Sequence, residues 1–222
     1  INGVQLPATV SEAFNDYELA TKISEAMQLK VFADIARWRA AGVAVRPISL
    51  NVSPIEFLRD NYAETFLQRL LKFHIPHPLI ELEVTEHAFN KHGSKYVLRA
   101  LQMLKEMGIR IALDDFGTGH SSFSHIMDYP LDCIKLDCDF VQRMNTEPAI
   151  LAIVESIGIL GQKLSIDIIA EGVETEQQRQ TLCEAGFHIG QGYLFSRAVE
   201  SQRVPELLQA IRQPAKGGMT NR

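Results

Sequence analysis

The sequence has few of the features that define membrane, disulfide-rich or zinc-binding proteins. Within these 222 residues no apolar run is long enough to cross a bilayer, and we expect that none of them form a signal peptide. The three cysteines, Cys133, Cys138 and Cys183, are odd in number and lack the spacing of a zinc site, so we expect reduced thiols in a cytoplasmic protein. Internal repeats, low-complexity linkers and shifts in composition are also missing, which favours a single domain.

The net charge is small for a chain of this length. The 222 residues carry a formal charge of −5, and 46% of them are hydrophobic, which is typical of a globular protein with a sizeable core. A mildly acidic total disfavours a general polyanion-binding surface, so we expect no DNA partner. The chain begins at Ile1 without an initiator methionine, and we expect it to be a piece of a longer protein.

Helical and strand periodicity alternate along the chain. The predicted strands are residues 43–53, 79–85, 109–115, 131–137, 165–172 and 188–195. The predicted helices are residues 17–41, 62–74, 94–108, 148–164, 174–186 and 204–212. Strands that alternate with helices through short turns predict an α/β protein with a mostly parallel sheet and helical crossovers.

The two faces of the predicted strands differ in chemistry. In residues 80–85, for example, Ile80, Leu82 and Val84 alternate with two glutamates and a threonine. Strands of an open, doubly wound sheet are apolar on both faces, whereas barrel strands have one face under helices and one inner face. The pattern therefore favours a TIM-like (β/α)₈ barrel. Because six strands are too few to close it, we expect two further strands upstream of Ile1 or missing from this chain.

Polar side chains stand at the ends of the predicted strands, where barrel enzymes have their sites. They are Asn51, Glu83, Asp114, Asp115, Lys135, Glu171 and Gln191. Oxygen donors without histidine or cysteine suit Mg²⁺ or Mn²⁺ rather than zinc. Two such ions, about 3.5–4 Å apart, would make the adjacent carboxylates of Asp114 and Asp115 tolerable and would form a clamp for displacement at phosphorus. Lys135 would hold or deprotonate the attacking water, or offset charge on the phosphate.

Several polar residues at or just after the predicted strands also have a purely structural interpretation. Two aspartates after a strand are common in turns and helix caps. Asn51 precedes a Ser-Pro helix-start signal, Glu86 could cap the segment that it begins, and Lys135 could be a solvated strand residue. The repeated occurrence of polar groups at strand ends favours the metal site. A lyase that uses Mg²⁺ and a lysine would fit the same pattern.

Six motifs follow one another through nearly the whole chain. They are NVS, ELEVTE, DDFGTG, IKLD, AEGVET and QGYLF. In this order and spacing they resemble the EAL domain family, the cyclic di-GMP phosphodiesterases of bacteria. The resemblance implies a barrel whose first strand is antiparallel to the others. We assign residues 1–214 to this domain, which we expect to be incomplete at its N-terminus, and residues 215–222 to a flexible tail. The resemblance also implies hydrolysis of one phosphodiester bond of cyclic di-GMP to linear pGpG with two Mg²⁺ or Mn²⁺ ions.

The resemblance implies a role for individual residues. Metal-ligand positions are Asn51, Glu83, Asp114, Asp115 and Glu171, with Asp114 bridging the two ions. Lys135 matches the lysine that contacts the nucleophilic water, and Glu174 and Gln191 match further active-site residues. Substrate-binding positions are Asn51, Asp115, Gln191 and Phe195. Glu86 matches the glutamate that anchors the DDFGTGHSS loop, which in this family couples metal binding to dimerisation.

The sequence departs from the family pattern at three places. The Glu-Ala-Leu signature is expected a few residues upstream of Ile1, His120 replaces a common tyrosine, and Ala198 replaces a proline, which could loosen a guanine contact. Every catalytic position within the chain has the family's residue type, which favours an active enzyme over an inactive cyclic di-GMP receptor. By analogy with the family, we expect a homodimer through the region next to the DDFGTG loop and sensory or cyclase domains upstream. We expect no membrane contact from this domain itself, and anchoring by upstream segments is left open.

Overall fold

The computed structural model describes residues 16–89, 94–117, 123–211 and 220–221. The chain divides into two compact units, one ending at Ile109 and the other beginning at Arg110.

In its described residues, the first unit contains three α-helices and two parallel strands. Its helices are α1 (Tyr17–Ala40), α2 (Tyr62–Lys72) and α3 (Ser94–Glu106), with 3₁₀ turns at Pro54–Leu58, His77–Leu79 and Glu86–Phe89; its strands are β1 (Ile48–Asn51) and β2 (Ile80–Thr85). The Asp16 side chain accepts a hydrogen bond from the Leu19 N–H and so caps the start of α1. Phe32 and Phe66 pack edge to face in the core of this unit, with ring centroids 5.7 Å apart.

Five parallel strands belong to the part of the second unit that the structure describes. Its strands are β3 (Arg110–Phe116), β4 (Cys133–Leu136), β5 (Asp167–Ala170), β6 (Ile189–Gly190) and β7 (Thr220–Asn221). Its helices are α4 (Phe123–Asp128), α5 (Cys138–Arg143), α6 (Pro148–Leu164), α7 (Glu176–Glu184) and α8 (Val204–Ile211), with a 3₁₀ turn at Ser201–Arg203. Each strand pairs with the next one along the chain, so the carboxyl ends of β3 to β6 lie at one edge of this sheet.

The predicted class, α/β with parallel strands, is confirmed. The alternation in β2 is also confirmed, because Ile80, Leu82 and Val84 are fully buried on one face.

Several strands are shorter than predicted. Residues 43–47 precede β1 without pairing, and Pro47 has no N–H to donate to a ladder. The sequence analysis did not predict α4 and α5, which have only six residues each.

Some expectations fall outside the part of the chain that the structure describes. Residues 118–122 of the DDFGTGHSS loop, which include His120, are among them, as are residues 215–219 and 222 of the expected tail. Thr220 and Asn221 form β7, which is parallel to β6. The antiparallel strand and the upstream strands stay predictions. Among the described helices, none combines the length and the apolar character that a membrane span needs.

Candidate metal centre and active site

A β-bulge near the carboxyl end of β3 contains the two adjacent aspartates. Pairing with β4 passes from Leu113–Ile134 to Phe116–Leu136, so β3 has one residue more than β4 over this interval. The φ of Asp115 is 55°, in the left-handed region that aspartate adopts more readily than most residues. A regular strand would direct neighbouring side chains to opposite faces, and the bulge breaks that alternation. Both carboxylates can therefore reach the same cluster.

Three carboxylates of the second unit form this cluster. One oxygen from each of Asp114, Asp115 and Glu171 lies within 4.8 Å of the other two. Glu171 directly follows β5, and its backbone N–H donates to the Leu136 carbonyl oxygen at 3.1 Å, which extends the pairing of β4 with β5. The cluster therefore depends on the ends of two strands that both pair with β4.

Lys135, on β4 itself, places a positive charge at the cluster. Its Nζ lies 2.9 Å from Oδ1 of Asp114 and 2.7 Å from Oε1 of Glu171. The exposed fractions of the side chains are 5% for Lys135, 12% for Asp114 and 17% for Glu171. The solvated-strand interpretation of Lys135 is therefore wrong, because its ammonium is buried against acidic partners.

The donor set fits a divalent cation. Three carboxylates lie together while one ammonium contacts two of them, and negative charge that is poorly compensated in a buried place is costly. Within the described ranges, no donor reaches Oδ1 of Asp114 in good hydrogen-bond geometry, although the ammonium of Lys135 is close. All these donor atoms are oxygens, which Mg²⁺ and Mn²⁺ prefer. The nearby Cys138 thiol is an unsuitable ligand, because burial and the charges of Asp137 and Glu171 raise its pKa.

The turns after β5 and β6 are hydrogen-bonded to each other. The Gln191 N–H donates to the Ala170 carbonyl at 2.8 Å, and the Gln191 carbonyl accepts from the Val173 N–H at 3.0 Å. The Val173 carbonyl accepts in turn from the Leu194 N–H. A Cβ on Gly192 would lie 2.2 Å from the Val173 carbonyl oxygen, so this close contact requires glycine. The two turns thus form one packed rim.

The remaining predicted active-site and substrate-binding residues of the second unit lie in these turns. Glu174 and Gln191 have exposed side chains, and Phe195 is half-buried. Residues 191–195 were predicted to continue the last strand. This prediction is wrong, because the N–H groups of Phe195 and Ser196 donate to the Gly192 carbonyl and close a turn. Arg197 stacks on the Tyr193 ring at 4.2 Å, a contact that the sequence analysis missed.

The first unit contains the other predicted ligands. Asn51 and Glu83 lie directly opposite each other in β1 and β2, with Glu83 buried and Asn51 exposed. The helix-start interpretation after Asn51 is also confirmed, because the Ser53 N–H donates to Oε1 of Glu56 at the start of a 3₁₀ turn. Glu86 is buried and begins another 3₁₀ turn, while its role as a loop anchor stays a prediction.

Sequence reasoning missed the buried polar side chain of Gln178, on α7, whose hydrogen bonds reach the segment after Glu171. Its backbone N–H donates to Oγ1 of Thr175, and its side chain accepts from the Thr175 N–H, which makes a capping box. The signal was present in the sequence as Thr175-x-x-Gln178, the pattern that precedes many helices.

Comparison with known proteins shows similarity over most of the chain. A family model described as the EAL domain matches residues 2–198. The cyclic di-GMP phosphodiesterase RocR of Pseudomonas aeruginosa is 39% identical over 159 residues, which are 71% of this chain and 40% of RocR. A solved structure described as the PaMucR phosphodiesterase in complex with c-di-GMP is 29% identical, with a TM-score of 0.83, and the match covers 91% of this chain and 82% of that one.

A manganese and cyclic di-GMP complex of BlrP1 from Klebsiella pneumoniae is also similar. It is 26% identical with a TM-score of 0.72, and the match covers 79% of this chain and 44% of that one. The chain spans between 21% and 40% of the length of the first curated relatives that it matches.

Proposed function

The chain belongs to the EAL domain family, and from this premise we propose that it hydrolyses one phosphodiester bond of cyclic di-GMP to give linear 5′-pGpG. The observation that carries the proposal is the cluster of Asp114, Asp115 and Glu171 with the ammonium of Lys135 against it. A phosphodiesterase needs both features, because oxygen ligands hold divalent cations and a positive side chain offsets charge on phosphate. The similarity to RocR, which is named a cyclic di-GMP phosphodiesterase, supports the substrate.

We assign the metal site to Asn51, Glu83, Asp114, Asp115 and Glu171, and the ions to two Mg²⁺ or Mn²⁺. The manganese complex of BlrP1 supports this choice. The bound ions would act as Lewis acids toward the phosphate and make a water more acidic. The protein's own contribution is to hold the carboxylates in place before the ions arrive, through the bulge in β3 and the backbone bond after β5.

Lys135 has the central role among the groups of this chain that act on the reacting atoms. Its buried Nζ, fixed between Asp114 and Glu171, orients the attacking water and offsets the negative charge that develops on the phosphate. Glu174 and Gln191 extend the site from the packed rim, and Asp115, Asn51, Gln191 and Phe195 contact the substrate. Glu86 holds the loop that follows β3.

We also propose the larger architecture that the family implies. The domain is a TIM-like barrel with one antiparallel strand, it is completed by segments outside residues 1–222, and it forms a homodimer next to the DDFGTG loop. The order of the second unit supports the barrel, because each strand pairs with the next along the chain. A doubly wound sheet would reverse its strand order at a switch point. The protein acts in the cytoplasm.

The test is product formation by the full-length protein. Cyclic di-GMP is incubated with the protein and Mg²⁺ or Mn²⁺, and nucleotides are separated by chromatography. Wild-type protein should give pGpG, and Asp114→Asn should abolish turnover, because the amide removes a charged ligand from the cluster. The matched control is Asp167→Asn, at the opposite end of β5 from Glu171, where an exposed ion pair with Arg110 is lost. It should retain near-normal turnover.

The outcomes separate the alternatives. Binding of cyclic di-GMP without formation of pGpG would identify a receptor and overturn the enzymatic proposal. Absence of both binding and hydrolysis would overturn the substrate assignment as well.

A further inference from the structure

The side chain of Gln178 is buried and uses all of its hydrogen-bonding capacity. Only 6% of the residue is exposed. Its Oε1 accepts from the backbone N–H groups of Glu174 at 2.8 Å and Thr175 at 3.0 Å. Its Nε2 donates to Oε1 of Gln142 at 3.1 Å and to the Val141 carbonyl at 3.4 Å. An amide has two donors and two acceptor lone pairs, and all four have partners here.

These contacts exceed what helix capping requires. A capping box needs only that the third helical residue accept a hydrogen bond from the N-cap backbone, and an exposed glutamate or glutamine does this equally well. Capping explains the bond from the Thr175 N–H. It does not explain the burial of Gln178, the second acceptance from Glu174, or the two bonds to α5. The side chain therefore links the segment before α7 to a different helix.

A second amide makes the same link from the other side. Nε2 of Gln142, on α5, donates to the Gly172 carbonyl at 2.8 Å. Gly172 has a φ of 68°, and a Cβ there would lie 2.6 Å from Cβ of Cys138, so the first turn of α5 packs directly on this segment. Residues 171–175 are thus held to α5 at Gly172, Glu174 and Thr175.

The helix that receives these bonds follows the strand of Lys135. β4 ends at Leu136, Asp137 caps α5 through the Asp139 N–H, and α5 begins at Cys138. The two glutamines consequently join the helix that directly follows the strand of Lys135 to the segment that carries Glu171 and Glu174. A shift of either part would change the 2.7 Å contact between Lys135 and Glu171.

We infer that Gln142 and Gln178 form an amide clamp that positions Glu171 and Glu174 relative to Lys135 for catalysis. They are positioning residues, since they act through the segment 171–175 and not on the substrate. The catalytic part of this inference rests on the proposed phosphodiesterase function. The structural part, that the clamp immobilises the backbone of residues 171–175, does not.

The experiment compares three variants of the full-length protein. Gln178→Met removes every hydrogen bond of the amide at similar size. Gln178→Glu keeps the acceptors for the backbone N–H groups but replaces the donor to α5 with an oxygen. Gln180→Met is the matched control, because Gln180 is exposed on the same helix and bonds only Glu184 among the contacts found for it. Amide hydrogen exchange without metal or substrate, kcat and KM are measured for each.

The clamp predicts a distinct result for each variant. Gln178→Met should speed exchange at Glu174 and Thr175 at least tenfold and lower kcat at least tenfold with KM within threefold. Gln178→Glu should keep slow exchange at these amides yet also lose kcat, because its link to α5 is lost. Gln180→Met should match the wild type. A Gln178→Glu variant with wild-type kcat would show that Gln178 serves only as a cap and would overturn the clamp.

The design separates the two proposals. If the wild type lacks turnover, the proposed function fails, and the exchange rates alone decide whether the segment is clamped. If Gln178→Met does not fold, Gln142→Met replaces it, because Gln142 is exposed and its loss leaves the capping box intact. Unchanged exchange over residues 172–175 in Gln142→Met would overturn the clamp.

Discussion

Replacement of Lys135 by methionine tests the electrostatic design of the candidate metal centre. Methionine matches the lysine stem as far as Cε but lacks the ammonium that lies 2.9 Å from Asp114 and 2.7 Å from Glu171. The two carboxylates then face each other and Asp115 without that compensating charge. The substitution should therefore affect stability in the absence of metal as well as hydrolysis.

The expected magnitude follows from burial. Removing one partner of a buried ion pair costs about 3–5 kcal/mol. Since Asp114 and Glu171 retain 12% and 17% exposure, we expect the lower end, about 3 kcal/mol. For a chain of this size the corresponding fall in Tm is about 6–12 °C. Hydrolysis should fall at least about 100-fold, as when a group that stabilises developing charge is removed.

The assay is thermal denaturation in EDTA and at increasing Mn²⁺. A divalent cation replaces the lost positive charge, so Mn²⁺ should stabilise Lys135→Met more than the wild type. Lys163→Met, at an exposed position in the last turn of α6, is the control and should change stability by less than about 1 kcal/mol. Equal stability of Lys135→Met and wild type in EDTA, or equal stabilisation of both by Mn²⁺, would refute the reasoning.

Three further substitutions test other parts of the structure. Asp115→Gly should raise the free energy of unfolding without metal by up to about 1 kcal/mol, because glycine adopts the left-handed conformation freely. It should also lower hydrolysis at least about tenfold; urea denaturation and product chromatography measure the two effects. Gly158→Ala should lower the free energy of unfolding by about 3 kcal/mol, since a Cβ would lie 2.0 Å from the Ala185 carbonyl oxygen; thermal denaturation measures it. Glu56→Gln should alter the pH dependence of stability, measured by urea denaturation from pH 4 to about pH 8.

The sign of the Glu56 effect follows from its pKa. Burial raises the pKa of Glu56 above its ordinary value of 4.5, against opposing hydrogen bonds with Ser24 and Ser53. The folded protein therefore binds this proton more tightly than the unfolded chain, and the free energy of unfolding falls as the pH rises from 4.5 through the folded-state pKa. Glutamine has no proton to lose, so the difference between variant and wild type should grow across this window.

A specific result would contradict the prediction made for each of these three variants. A pH-independent difference between Glu56→Gln and wild type would contradict the assigned pKa. For the bulge, Asp115→Asn is the control, because asparagine keeps the left-handed preference while losing the charge. A gain of stability in Asp115→Asn equal to that in Asp115→Gly would assign the effect to charge repulsion and contradict the backbone argument. An unchanged Tm in Gly158→Ala would contradict the close packing.

The sequence predicted the parallel α/β class because hydrophobic alternation depends on local periodicity. In β2 the fully buried residues Ile80, Leu82 and Val84 have the spacing of a strand, and their pattern is visible without tertiary structure. The polar residues at strand ends were predictable for a related reason, since the ends of parallel strands meet at one edge. Asp114, Lys135 and Glu171 were identified in this way, and the structure brings them together.

The sequence did not predict the features that depend on tertiary contacts. The bulge at Asp114 and Asp115 requires an extra residue relative to β4, and pairing register is not encoded in either strand alone. Residues 191–195 have strand-like composition, but the close contact of Gly192 with Val173 ends the strand at Gly190. The amide of Gln178 was missed because its partners on α5 are 36 and 37 residues away.

The packing of Gly192 against Val173 has a consequence for protein engineering. A side chain at position 192 would separate the turn after β5 from the turn after β6, so the shapes of these two turns depend on each other. A chimera that takes only one of these turns from a related protein would place it against a turn whose shape does not fit it. Transfer of both turns together would keep the glycine with its own partner, so the two turns are the smallest unit that can be exchanged without disrupting this contact.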